Sequence, residues 1–163
     1  MKKTEGTGNP MSMEVTTLCY IERGDEVLML HRTKKKSDLN EGKWIGVGGP
    51  VKDGESPCDC VRREVLEETG LTLESLSFRA VITFVYGDIT EYMMLFTSDS
   101  FSGDLIDCDE GVLEWKKKEE IYDLPLWDGD RKFLPLLFSN EPFFSMKLIY
   151  DNEGRLLDAI KES

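Results

Sequence analysis

With 163 residues, 40% of them hydrophobic and 32% charged, the chain has the size and composition of one folded domain that needs neither disulfides nor a structural metal. Its formal net charge of −12 excludes simple electrostatic adhesion to a nucleic-acid polymer or an anionic membrane. No apolar run approaches the roughly 20 residues of a membrane span, and the basic start Met1-Lys2-Lys3 leads into no hydrophobic segment, so neither a span nor a secretory signal is expected.

Residues 1–12 read as a flexible tail ahead of a single domain over 13–163, with the cytoplasm as the expected location. Val15 to Ile21 and Glu26 to His31 are rich in β-branched and apolar residues and flank the turn Glu22-Arg23-Gly24-Asp25, which predicts a hairpin. Arg32 to Lys43 is a polar loop whose run Lys34-Lys35-Lys36 reads as solvated charge. A short apolar run, Trp44 to Val47, ends in Gly48-Gly49. Beyond the turn at Asp53-Gly54 comes the clearest helix, with Ser56 as N-cap, Pro57 in the first position and Gly70 as the left-handed stop. Its apolar stripe is Cys58, Val61 and Val65.

Leu76 to Tyr86 and Glu91 to Thr97 follow as strands joined around Gly87-Asp88. Val112 to Trp115 predicts a short strand, Lys117 to Tyr122 a helical turn, and Asp130 to Phe138 a second helix. Phe143 to Tyr150 and Arg155 to Ile160 flank Asp151-Asn152-Glu153-Gly154 as another hairpin. This order of elements predicts an α/β (α+β) domain with helices packed on a mostly antiparallel or mixed sheet. The spacing of Cys19, Cys58, Cys60 and Cys108 matches no zinc motif; all four are expected as reduced thiols, Cys19 and Cys58 in the core.

The first helix carries the chemistry. Glu64, Glu67 and Glu68 stand at i, i+3 and i+4, on one helical face that adjoins the Val61–Val65 stripe. Like charges at that spacing cost a helix roughly 0.2–0.5 kcal/mol, and more once desolvated without a counter-charge. A solvated acidic face is one reading of them. The other is a hard-cation site, because carboxylates without nearby histidine or cysteine suit magnesium or manganese. On that reading the chain runs a metal-dependent reaction on an oxygen-rich substrate such as a phosphate, and the cation bridges an anionic protein to an anionic substrate.

The segment Gly49-Pro50-Val51-Lys52-Asp53-Gly54-Glu55, then seven residues to Arg63, then Glu64-Val65-Leu66-Glu67-Glu68-Thr69-Gly70-Leu71, resembles a complete Nudix box, with every specified position met. The resemblance implies the Nudix fold, an α/β/α sandwich around a mixed β-sheet, and hydrolysis of a nucleoside diphosphate linked to another group. It also implies that Glu64, Glu67 and Glu68 carry Mg2+ (or Mn2+) with the carbonyl of Gly48, and that Glu55 braces Arg63.

The flanks Gly42-Lys43-Trp44-Ile45-Gly46-Val47-Gly48-Gly49, Glu110 to Trp115, and Leu126-Trp127-Asp128-Gly129-Asp130 resemble the MutT/MutX-like branch, the oxidised-purine nucleoside triphosphatases. That similarity implies hydrolysis of a nucleoside triphosphate of the 8-oxo-dGTP type to the monophosphate and pyrophosphate. By the same similarity, Trp127 stacks on the purine, Asp130 bonds its edge, Phe84 is a pocket wall and Thr17 faces the base. Glu110 supports the metal cluster or the attacking water. From their positions in the sequence, Arg32 and Lys43 flank the site, either as phosphate contacts or as loop charges. One position departs from the branch. Human-type members read the purine with an asparagine after the tryptophan of the Gly-x-Trp segment, and here that residue is Ile45, which cannot hydrogen-bond a base. Another substrate of the family, such as a dinucleoside polyphosphate, a nucleotide sugar or an ordinary nucleotide, is the alternative. The oligomeric state is open.

Overall fold

The computed structural model describes residues 12–34 and 38–163. The expectations for the tail over 1–11 and for Lys35 and Lys36 lie outside the described residues. Ser12, read as the end of the tail, already belongs to a strand.

β1 (Ser12–Arg23) and β2 (Glu26–Arg32) form the first hairpin, which turns at Gly24 with φ +60°. The apolar run after the polar loop is two strands rather than one, β3 (Trp44–Ile45) and β4 (Val47–Pro50). They part because β3 pairs with β2 while β4 pairs with β1. Gly46 sits at the break, where a Cβ would meet the Cys19 carbonyl and the Tyr20 ring.

α1 (Pro57–Thr69) opens with a capping box. The Ser56 hydroxyl accepts from the Asp59 amide at 3.0 Å, and the Asp59 carboxylate accepts from the Ser56 amide at 3.1 Å. Such a cap stabilises a helix by about 1 kcal/mol. Gly70 ends the helix at φ +82°. The buried residues are Cys60, Val61, Val65, Glu68 and Thr69, and Cys58 is exposed, contrary to the expectation from periodicity. The period places Cys58 on the right side of the helix, but it lies in the first turn. The strands meet the helix at Cys60, whose Sγ lies 3.3 Å from Thr17 Oγ1 and 3.4 Å from the Pro50 carbonyl.

The chain continues through β5 (Thr72–Leu73), β6 (Ser77–Tyr86), β7 (Ile89–Ser98), β8 (Phe101–Ser102) and β9 (Gly111–Lys117). The helical turn read from Lys117 onward is instead strand at its start, because Lys117 pairs with Glu26; only Ile121–Asp123 makes one 3-10 turn. α2 (Asp130–Leu137), β10 (Phe144–Tyr150) and β11 (Leu156–Lys161) complete the fold.

The main sheet runs β11-β10-β6-β7-β1-β2-β3, with β4 also on β1 and β9 also on β2. It is mixed: β1–β7 and β10–β6 are parallel, and the other pairs are antiparallel. Strand alternation splits its side chains into two cores. Cys19, Ile21, Val47 and Phe96 meet Val61 and Val65 of α1 on one face. Tyr20, Ile82 and Leu95 meet Phe133, Leu134 and Leu137 of α2 on the other. The result is an α/β/α sandwich, and β4 delivers the chain from the sheet to the start of α1. Among the described residues no helix is long and apolar enough to cross a membrane.

Candidate active site

Arg63 organises the acidic face of α1. Its Nε donates to Glu55 Oε2 at 2.5 Å and its Nη2 to Glu55 Oε1 at 2.9 Å, a bidentate pair that ties the turn before the helix to the helix itself. This bond lowers the Glu55 carboxyl from its ordinary range to about 2, helped by the Lys52 amide. The Nη1 group of the same arginine donates to Glu64 at 3.1 Å and to Glu67 at 3.2 Å. Burial pushes the Glu64 carboxyl upward against that attraction. Glu64 packs directly on the box backbone, and a Cβ on Gly49 would run into its carboxylate.

Among the described residues Glu68 has no such partner. It is only 7% exposed, and both carboxylate oxygens are buried without a hydrogen bond. Burial first, then the charges of Glu110 and Glu64, push its carboxyl up to about 9. Glu110 projects from the turn before β9 and pairs with Arg32 at 2.7 Å; Arg32 pairs at the same distance with Asp38. Arg32 is itself buried, with its Nε unpartnered among the described residues. Two arginines therefore balance Glu64, Glu67 and Glu110, while Glu68 stays bare between them.

Among the described residues no three histidine, cysteine, aspartate or glutamate side chains are already gathered as a cage for a cation. The donor set nevertheless fits a hard one. A buried carboxylate with no donor and two like charges beside it is costly unless it is protonated or meets a cation. Only oxygen ligands are on offer: Glu64, Glu67, Glu68 and Glu110, with Gly48 on the adjoining strand β4.

A cavity of about 420 Å3 reaches from Gly48, Gly49 and Arg32 to Phe84, Trp127 and Asp130. It joins residues that lie up to 116 positions apart in sequence (Glu14 and Asp130). The Trp127 ring stands edge-on to Phe84, centroids 5.2 Å apart, and to Tyr150 at 5.1 Å. Its Nε1 donates to Asn40 Oδ1 at 2.7 Å, and the Lys43 ammonium lies 4.7 Å from the ring centroid. Asp130, 6% exposed, begins α2, but it is not the cap: Gly129 holds that position without a side-chain cap bond. Among the described residues the Asp130 carboxyl has no hydrogen-bond partner. Burial pushes it up to about 8, against the pull of Arg131 and Lys43.

One expectation shifts. Thr17 borders the cavity, but its hydroxyl turns toward α1, to Cys60 Sγ at 3.3 Å. Strand alternation gives the opposite face to its neighbour Thr16, which donates to Glu91 Oε2 at 2.7 Å. Ile45 does line the cavity, as an apolar wall. The sequence reading missed Asp38, Asn40 and Glu91. The first two sit in a polar loop whose composition gives no periodic signal. Glu91 was legible, as a carboxylate in step with the apolar Met93 and Leu95 of one strand face.

Comparison with known proteins shows the family and the fold. The NUDIX domain profile matches residues 13–137. An uncharacterized Nudix hydrolase of Bacillus subtilis, YvcI, is 30% identical over 89% of this chain and 92% of its own. An oxidized purine nucleoside triphosphate hydrolase of Danio rerio is 34% identical over 80% of this chain and 83% of its own. Among solved structures, a MutT protein from Bacillus halodurans superposes with a TM-score of 0.82 at 28% identity, covering 91% of this chain and 97% of the other. The box that Arg63 braces, the sandwich that carries it and these relatives make the chain a MutT-like member of the Nudix hydrolase family.

Proposed function

We propose that this enzyme hydrolyses an oxidised purine nucleoside triphosphate of the 8-oxo-dGTP type to the monophosphate and pyrophosphate, sanitising the nucleotide pool of the cytoplasm. The observation that carries the reading is the cavity that joins the box glycines and Arg32 to Trp127, Phe84 and Asp130. Its aromatic and carboxyl-bearing end is continuous with Gly48, Gly49 and Pro50, the strand that precedes the carboxylate helix, which suits a base joined to a polyphosphate.

Glu64, Glu67, Glu68 and Glu110, with the Gly48 carbonyl, would hold magnesium or manganese. When bound, such ions neutralise phosphate charge and acidify an attacking water. The chain's own residues supply the rest. Arg63, locked by Glu55, fixes the helix against its loop and sets the directions of Glu64 and Glu67. Glu67 and Glu110 keep 56% and 28% of their side chains open, against 13% for Glu64, so the proton of the attacking water passes to one of them. Arg32 holds Glu110 and sets a cation on the cavity wall beside the phosphates. Trp127 and Phe84 grip the base, and Thr17 contributes through the bond that seats β1 on α1.

The test is kcat/KM with magnesium across 8-oxo-dGTP, dGTP, a nucleotide sugar and a dinucleoside polyphosphate, with products identified. The expected result is a clear preference for 8-oxo-dGTP with release of pyrophosphate. Glu67→Gln and Glu68→Gln should each lose activity by about two orders of magnitude or more, the scale of removing a proton acceptor or a metal ligand. A preference for a nucleotide sugar or a dinucleoside polyphosphate would replace the substrate while keeping the family chemistry.

A further inference from the structure

Glu91 is a half-buried carboxylate of the cavity to which the proposed chemistry gives no task. It stands in β7 opposite Phe84 of β6, and the Phe84 ring meets Trp127 edge-on. The Thr16 hydroxyl fixes one of its oxygens at 2.7 Å, and among the described residues the other has no protein donor. Asp130, nine-tenths buried and likewise without a side-chain partner, borders the same cavity from the start of α2. The two carboxyls are not a pair. Glu91 enters from the sheet, in β7 beside Phe84 and Thr16, whereas Asp130 enters from α2, the helix that follows Trp127. The cavity therefore offers acceptors on two sides to one ligand ring held against Trp127.

Guanine matches only one of those sides. Its donors, the ring N1–H and the amino group, lie along one edge, and N7 on the other edge is a lone-pair acceptor. Oxidation at C8 places a carbonyl there and a hydrogen on N7, so the damaged base carries donors on both edges. On the reading of this cavity as an oxidised-purine site, on which the inference rests, we infer that Glu91 is the residue that distinguishes damaged from undamaged base. Its free oxygen accepts the N7–H of an 8-oxopurine and repels the N7 lone pair of the intact purine, while Asp130 meets the opposite edge. Ile45, unable to hydrogen-bond, closes the pocket as an apolar wall.

The experiment compares kcat/KM for 8-oxo-dGTP, dGTP and 7-deaza-dGTP, in which N7 is replaced by C–H, in the wild type and in Glu91→Gln. Dissociation constants for 8-oxo-dGMP and dGMP are measured alongside. The wild type is expected to rank 8-oxo-dGTP first, then 7-deaza-dGTP, then dGTP, since removing the lone pair removes the repulsion. The amide of Glu91→Gln can donate to N7, so dGTP should improve, the preference for the oxidised nucleotide should fall by roughly tenfold or more, and 7-deaza-dGTP should drop below dGTP. The inference is overturned if a folded Glu91→Gln keeps the wild-type preference within about twofold, a change too small for a lost buried hydrogen bond. It is overturned without any variant if wild-type protein handles 7-deaza-dGTP no better than dGTP. A wild type with no preference for 8-oxo-dGTP over dGTP overturns the substrate reading itself, and this inference with it.

Discussion

Asp130 shows how one buried carboxyl links pocket chemistry to stability. Its proton is held until about pH 8 in the folded chain, against an ordinary value of 3.8, because burial penalises the charge. A carboxyl whose folded value is raised binds a proton that the unfolded chain has already released. Its favourable contribution is therefore complete below about pH 4 and is lost as pH rises through about 8. Near neutrality it is a neutral acid, able to donate as well as accept. Asp130→Asn keeps the shape and cannot ionise, so its melting temperature should fall less than that of the wild type between about pH 5 and about pH 9. Parallel melting curves for the two proteins over that range would show the role to be absent. Glu68 titrates in the same window in both proteins, so the difference between the curves belongs to Asp130.

At the scale of elements, the junction of β4 and α1 is built from two glycines with different duties. Gly48 lies opposite Leu18 in the β1–β4 pair, and a Cβ there would strike the Thr17 carbonyl, which is backbone and cannot yield. At Gly49 the obstacle is the end of the Glu64 side chain, which can move. Gly48→Ala should therefore cost stability outright, by about 1–3 kcal/mol, the usual scale of overpacking. Gly49→Ala should fold nearly as well but displace Glu64, weakening magnesium binding and turnover together. Denaturant titration with magnesium-binding calorimetry separates the two. Equal stability losses with unchanged metal affinity would contradict this division. Neither duty depends on conformational freedom, because neither glycine has a positive φ.

For the molecule as a whole, the net charge of −12 and the carboxylate face raise the same difficulty. Folding brings Glu64, Glu68 and Glu110 close enough to repel one another, and the arginines answer only part of that repulsion. A cation that binds the folded chain alone stabilises it by about 2.7 kcal/mol at 100 times its dissociation constant. For a domain of this size that is a rise in melting temperature of about 5–10 °C. Saturating magnesium should give the wild type such a shift and give Glu68→Gln little or none. In chelator the variant should melt no lower than the wild type, since its amide stays neutral in the cluster without having to take up a proton on folding. An equal magnesium shift in both proteins would remove Glu68 from the cation site.

The sequence by itself determined the parts that local rules govern. The Ser56 cap, the Gly70 stop and the i, i+3, i+4 spacing of Glu64, Glu67 and Glu68 fix α1 and its acidic face, because each acts within a turn or two of helix. The alternation in β1, β2, β6 and β7 marked the strands, and the box spacing named the family. Pairings between distant segments were decided only in three dimensions. Lys117 is strand because Glu26 lies beside it, Trp44 to Pro50 divides because its halves reach different partners, and Cys60 rather than Cys58 is buried because the strands cross α1 at that turn. The counter-charges of the site, Arg32 with Asp38 and Glu110, and the cavity that brings Glu91, Asn40 and Asp130 together are of the same kind. Which face a strand residue shows follows from its parity, but what stands opposite that face depends on register and crossover, and these are set by the packing of the whole sheet against its two helices.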